Sequence, residues 1–361
     1  MKPGPQTPPS MRVLAITHSL GLDGAALCLY DFLCAIQDMG GRADVLYRGD
    51  QPLKQALLER GIGVGEQVAL QDYDLALVNT LRDHRRVVEI AKALPVLFWV
   101  HEGLTLLQTH MHLAPAWTQA FSASSRVVFQ TSWQAEQVFK SFLHGVAPHR
   151  IERVAPAVAE TIRAAEPVPV SPLQPGLPGQ ILSVGGVYPR KRPGDLVRCV
   201  IELARQGLDL HCTLVGSLEW LDQNDAHMLE QLRTHAGLFT LTGELPREQV
   251  AARLRQAHVY CSASGDESFS MAVLDAAATG LPLALSDLTG TRDTWLHGIN
   301  ALLAPPGAVD CLAWNVRALL QDRPLAARLG AQAVLTARRF GRDAFLQRMT
   351  TVASQAIADP L

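Results

Sequence analysis

What this chain lacks narrows its class first. No apolar run approaches the roughly 18 residues a membrane-spanning helix needs, and Leu94-Pro-Val-Leu-Phe-Trp-Val100 reads as a buried strand. Its six cysteines (Cys28, Cys34, Cys199, Cys212, Cys261, Cys311) are scattered without a CxxC or similar pair. That excludes a disulfide frame and a zinc site, and suits buried thiols in a reducing compartment. An excess of one charge is also missing: 32 basic against 34 acidic residues leave a formal net charge of −2. Nothing there favours a nucleic-acid partner. The first ten residues are polar and proline-rich, without the apolar core of a signal peptide. The expected compartment is the cytoplasm. A small basic cluster, Arg82, His84, Arg85 and Arg86, leaves peripheral contact with the inner face of a membrane as an option beside a solvated face.

What is present is alternation. Over 361 residues, 48% of them apolar, short β-branched or apolar runs alternate with amphipathic segments, the pattern of a parallel α/β architecture. Strands are expected near Val13–Thr17, Asp44–Tyr47, Leu75–Asn79, Val96–Val100 and Arg126–Phe129. After a break they resume near Ile181–Gly185, Cys212–Val215, Phe239–Leu241, Val259–Ser262 and Leu283–Ser286. The break, residues 164–179, holds five prolines and two glycines and can continue neither a helix nor a central strand. The chain therefore divides into a domain over 1–160, a linker over 161–179, a second domain over 180–340 and a terminal helix over 341–361. Two Rossmann-like domains facing a central cleft is the expected fold, with ligands at the carboxyl ends of the strands.

Four segments fall at such ends. Asp266-Glu-Ser-Phe-Ser-Met-Ala-Val-Leu-Asp275 sets two carboxylates eight residues apart, about 12 Å along one helix face. Glu267 and Asp275 so placed suit the hydroxyls of an extended ligand, while amides near Ser268, Phe269, Ser270 and Met271 suit its phosphates. The alternative is a buried amphipathic helix with an acidic first turn. Arg190-Lys191-Arg192 follows the first strand of the second half, where adjacent cations beside backbone amides suit a diphosphate, or form a solvated basic turn. His101-Glu102 ends a buried strand, as a ligand-facing or a structural histidine. Gly21 and Gly24 lie between the first strand and the first helix, without a GxGxxG fingerprint, as a ligand loop or a tight turn.

In this order the segments resemble the GT-B glycosyltransferases, most closely retaining glycosyltransferase family 4, over nearly the whole chain. Lesser features agree: Leu214-Val-Gly216, Leu241-Thr-Gly-Glu-Leu-Pro246 and Gly298-Ile-Asn-Ala-Leu-Leu303. The resemblance implies transfer of a hexose-type sugar from a UDP- or GDP-linked donor to the hydroxyl of a glycan or lipid-linked glycan, with retention and without metal or other cofactor. By the same resemblance Lys191 holds the donor diphosphate, with Arg190 or Arg192 beside it. Glu267 and His101 lie by the donor sugar, and Asp275 grips the ribose. Amides at 268–271 meet the sugar and distal phosphate, and Gly21 and Gly24 lie under the phosphates. The terminal helix, with Phe345, Leu346, Met349, Val352 and Ala353 as its stripe, crosses back to the first domain.

The sequence departs from the family pattern at Gly186, where an arginine is usual, at Asp275 and Ser270, and at Pro156-Ala-Val158. These departures keep two other readings open: a non-catalytic sugar-nucleotide binder, and an epimerase or hydrolase of the same fold. His110 and His112 supply two metal ligands without a third, a poor site.

Overall fold

The computed structural model describes residues 11–163, 165–170, 172–218 and 225–361. The apolar runs become strands that are buried on both faces, which parallel pairing requires. In Val96–Val100 every residue is buried.

The first unit runs through Pro156 and takes in Asp343–Leu361. Its strands are β1 (Arg12–Thr17), β2 (Arg42–Leu46), β3 (Gly63–Gly65), β4 (Leu75–Asn79), β5 (Val96–Val100), β6 (Arg126–Phe129) and β7 (Ile151–Arg153). They form one parallel sheet in the order β3-β2-β1-β4-β5-β6-β7. The short edge strands β3 and β7 have no counterpart in the sequence expectation.

The stretch around Leu104–Phe121 divides into helices Leu104–Thr109 and Ala114–Ala123 about a short turn, the second opening with Pro115 in its first turn. After β6 the chain forms a π turn, Gln134–Val138, followed by a 3-10 turn, Lys140–Phe142. Gln134 explains the distortion. It is fully buried and its side-chain oxygen accepts from the amides of Gln130 and Thr131.

The helix Arg342–Ala358 brings the chain back to this unit from Asp343 onward. Phe345 meets the Trp99 ring at 5.9 Å, Arg348 pairs with Glu152, and the buried Arg126 guanidinium lies 3.2 Å from Asp359. Arg82, Arg85 and Arg86 are exposed, but His84 is buried against Trp117 and does not belong to a basic face.

The second unit is Ala157–Arg342. Its strands are β8 (Gly179–Val184), β9 (Leu210–Val215), β10 (Phe239–Leu241), β11 (Val259–Ser262), β12 (Leu283–Ser286) and β13 (Leu302–Ala304). All pair in parallel, in the order β10-β9-β8-β11-β12-β13. The division therefore falls after Pro156 and after Arg342, and the proline-rich run lies wholly within this unit. Val158, Ala159 and Ile162 sit in its core, and Val168 donates its amide to the Thr279 carbonyl (2.8 Å). Prolines keep the segment extended, and at its end Gly179 donates its amide to the Asp209 carbonyl at 3.0 Å. Ala164 and Ser171 of that run, like the first ten residues, lie outside the described residues. Among the described residues no helix is long and apolar enough to cross a membrane.

Candidate sugar-nucleotide site

The second sheet reverses its order between β8 and β11, and ligands of open parallel sheets gather outside such a point. β8 runs into Gly185, whose φ of 148° and close fit leave the Lys191 methylenes packed over it. β11 runs into Ser262–Glu267. The two loops are tied together, since Gly265 donates its amide to the Arg190 carbonyl at 2.7 Å.

The result is a compact ionic cluster. Lys191 Nζ pairs with Glu267 Oε1, and Arg190 Nη1 lies 3.4 Å from Glu267 Oε2. Ser264 donates its hydroxyl to Oε1 at 3.0 Å, and Ser262 stands behind it at 3.2 Å. Burial pushes the Glu267 carboxyl up, but Lys191, Arg190 and Ser264 together outweigh it and hold the group below its ordinary value. Beside this cluster begins the helix Met271–Thr279, whose N-cap Ser270 makes no side-chain capping bond and whose first turn has no acid. Such a helix start favours an anion. Ser268 Oγ is buried and meets no hydrogen-bonding partner among the described residues. Phe269 turns its ring onto Phe340 at 5.2 Å, so only its backbone is left to face a ligand.

Four of the expected site residues stand in local arrangements of their own. Arg192 takes the left-handed conformation (φ 48°) and binds Asp195 while its side chain lies over Gly265 and Gly307, away from the Glu267 carboxylate. Asp275 Oδ1 accepts the Ala159 amide at 2.9 Å, so one carboxylate oxygen serves the chain itself. In the first unit Gly21 precedes, and Gly24 opens, a helix whose N-cap is Asp23. That carboxylate takes the amides of Ala25 and Ala26, both at 3.0 Å.

Gly186, where the family carries arginine, lies beneath the Tyr188 ring, and a Cβ there would come 2.2 Å from Cε2. Arg190 is the second cation of the Glu267 cluster. His110 and His112 rings stand 6.0 Å apart, and no group of three potential metal ligands occurs among the described residues.

In the first unit, at the ends of β4, β5 and β6, His101 is bonded through both ring nitrogens: Nε2 to Asn79 Oδ1 (2.8 Å) and Nδ1 to the Gln130 amide (2.9 Å). Glu102 accepts the Leu81 amide on both oxygens and so caps the loop after β4. Asn79 and Gln130 escaped the sequence reading, though each is a polar residue closing an apolar strand. That pattern is the signal that could have found them.

Burial pushes His101 down to about 3, with His18 adding to the effect. From its ordinary value of 6.5, the site takes up a proton on unfolding across the interval between the two. Its contribution to stability is whole above pH 6.5 and drains as pH falls toward 3. Melting temperature measured from neutral to acid pH should therefore fall more steeply for the parent chain than for His101→Gln.

Comparison with known proteins adds a family, three relatives and a solved structure. Residues 170–335 match the family described as glycosyl transferases group 1. The D-inositol 3-phosphate glycosyltransferase of Xylanimonas cellulosilytica is 30% identical over 308 residues, covering 80% of this chain and 68% of that protein. The enzyme of the same name from Thermobispora bispora is 26% identical over 249 residues, 66% of this chain and 58% of its own. The 2-deoxystreptamine glucosyltransferase of Streptomyces kanamyceticus is 32% identical over 206 residues, 54% of this chain and 52% of its own. The chain thus spans little more than half the length of several relatives. Among solved structures, Anabaena HepE in complex with UDP and glucose matches with a TM-score of 0.78 at 18% identity, over 95% of this chain and 99% of that one.

Proposed function

Because this chain belongs to the group 1 glycosyl transferases and has the GT-B fold, we propose that it moves a hexose-type sugar from a nucleotide-diphosphate donor to a hydroxyl of a polyhydroxylated ring, with retention. One observation carries the reading. Lys191 and Arg190 converge with Glu267 at the switch point of the second sheet, next to a helix start without its own acid. The diphosphate charge that grows as the bond to the sugar breaks falls to Lys191, Arg190 and the helix-start amides, without a metal. Glu267 accepts from the donor sugar's hydroxyls, a role that its depressed pKa supports by keeping it ionised.

A UDP-linked donor is favoured by the complexes of the structural neighbours with UDP and UDP-glucose; GDP is the second candidate. The named acceptors of the relatives, inositol phosphate and 2-deoxystreptamine, are ring polyols, as are the sugars of a glycan or lipid-linked glycan. Calorimetry with UDP, GDP and ADP, then with their sugar conjugates, tests the reading; failure of every nucleotide to bind would remove it. Peripheral membrane contact rests on the exposed Arg82, Arg85 and Arg86 alone, and salt-sensitive pelleting with anionic vesicles tests it.

Asp275 divides between two tasks. Its bond to Ala159 fixes the segment that opens this unit, so Asp275→Ala should cost about 0.5–2 kcal/mol, as loss of a capping carboxylate does. Thermal melting measures that. A ribose role adds a second expected result: Asp275→Asn weakens UDP but not its 2′,3′-dideoxy analogue. Equal affinities for both ligands in that variant would leave Asp275 the structural task only.

A further inference from the structure

The first unit holds a polar arrangement that the donor site leaves unused. Its sheet reverses order between β1 and β4, and register sets Thr17 beside Asn79 there. By the rule that places ligands at such a reversal, this is where the unit would meet one. His18 follows β1 and Thr80 follows β4. Thr80 has φ 95° and ψ 149°, a region close to one that glycine alone enters without strain and that suits a β-branched residue least. It is held there from both sides. Its amide donates to the Trp99 carbonyl at 2.8 Å, and its hydroxyl lies 2.9 Å from His18 Nδ1.

Asp83 Oδ2 stands 3.3 Å from the same nitrogen. A carboxylate only accepts, and a hydroxyl can rotate to accept as well, so Nδ1 carries the proton and shares it between them. The lone pair is then on Nε2, across the ring from the anchored nitrogen, and 36% of this side chain is exposed. His101 nearby has both nitrogens engaged by Asn79 and Gln130. Of these two imidazoles, His18 is the one with a nitrogen left to offer.

We propose that His18, oriented by Asp83 and Thr80, binds the acceptor: Nε2 takes a hydrogen bond from a hydroxyl of the ring polyol. This rests on the transferase reading and names the group that meets its second substrate. The strain at Thr80 is what a purely structural loop would not need, since glycine would give the same backbone without it.

The test uses the full chain, the sugar nucleotide that calorimetry selects, and D-inositol 3-phosphate and 2-deoxystreptamine as probes. His18→Ala should raise the KM of the stimulating probe roughly fivefold to tenfold, as loss of one hydrogen bond implies, with UDP affinity unchanged. Asp83→Asn should move KM the same way by a smaller factor. Thr80→Gly should melt no lower than the parent, because strain is relieved, and yet raise the probe's KM. That split is one a structural role would not produce, and it decides the matter even if His18→Ala folds poorly. An unchanged KM in Thr80→Gly, or donor turnover that neither probe stimulates, would overturn the proposal. Absence of any nucleotide binding would be a different failure, that of the transferase reading beneath it.

Discussion

Lys191→Ala should weaken binding of UDP roughly tenfold to a hundredfold, the value of a charge-assisted hydrogen bond of about 1.5–3 kcal/mol, while uridine binding stays essentially unchanged. The same variant has a cost in the free protein. Glu267 is buried, and Lys191 is the strongest of the groups that hold its carboxylate ionised. Without it, burial wins and the carboxyl rises. Removing one partner of a buried pair costs about 3–5 kcal/mol when both are fully desolvated; Arg190 and Ser264 remain here, so the lower end is expected.

The pH sign follows from the depressed value of Glu267 in the parent. Its contribution is present above the ordinary carboxyl value and is lost as pH falls through the lowered one. In Lys191→Ala that contribution should be lost at a higher pH than in the parent. Lys191→Ala/Glu267→Gln should recover much of the lost stability but none of the UDP affinity. Calorimetry and thermal melting on the parent and the two variants check both halves. Equal losses for uridine and UDP would place Lys191 outside the phosphate site.

Gly216→Ala should be the most damaging small substitution near the site. Gly216 follows β9 at φ 144°, and a Cβ there would come 2.3 Å from the Gly185 carbonyl oxygen and 2.8 Å from the Gly186 amide. Those are backbone atoms, so no rotamer can relieve the clash. Strain of about 1–3 kcal/mol adds to overpacking of similar size, for a total of roughly 2–6 kcal/mol. In a unit of this length that lowers the melting temperature by about 4–24 °C. Gly185 also floors the Lys191 side chain, so UDP affinity should fall with stability. An unchanged melting temperature would show that the loops after β8 and β9 are less tightly pressed together than described.

The legible parts of this chain were those in which one residue type does one thing. Val96–Val100 could be read as a central strand because burial on both faces leaves only apolar side chains. Lys191 and Glu267 could be read as site residues because each follows such a strand. Their meeting could not be read, since it depends on β8 and β11 being neighbours across a crossover, and no local pattern states that. Arg192 looked equivalent to Arg190 in sequence; its left-handed backbone and the nearby Asp195 turned it elsewhere. Asp23 looked like one more loop residue beside Gly21 and Gly24, yet its carboxylate fills the helix start the glycines seemed to open. The strain at Thr80 left no trace in residue type, because nothing in the sequence betrays a threonine standing where glycine belongs.

The return of the chain to the first unit at Asp343 bears on how the protein is made. Unit two is a single contiguous stretch, Ala157–Arg342, whereas unit one is interrupted by the whole of it. During synthesis the later unit can close on its own residues as it emerges. The earlier one must wait for Phe345 and Met349 before its core is complete. Its seven strands and their helices are thus translated first and finished last, with some 186 residues of insertion between Pro156 and Asp343. Contacts of such separation are slow to form. Over that interval the apolar surface around Trp99 is uncovered, and an unfinished first unit is the form of this chain most exposed to misassembly.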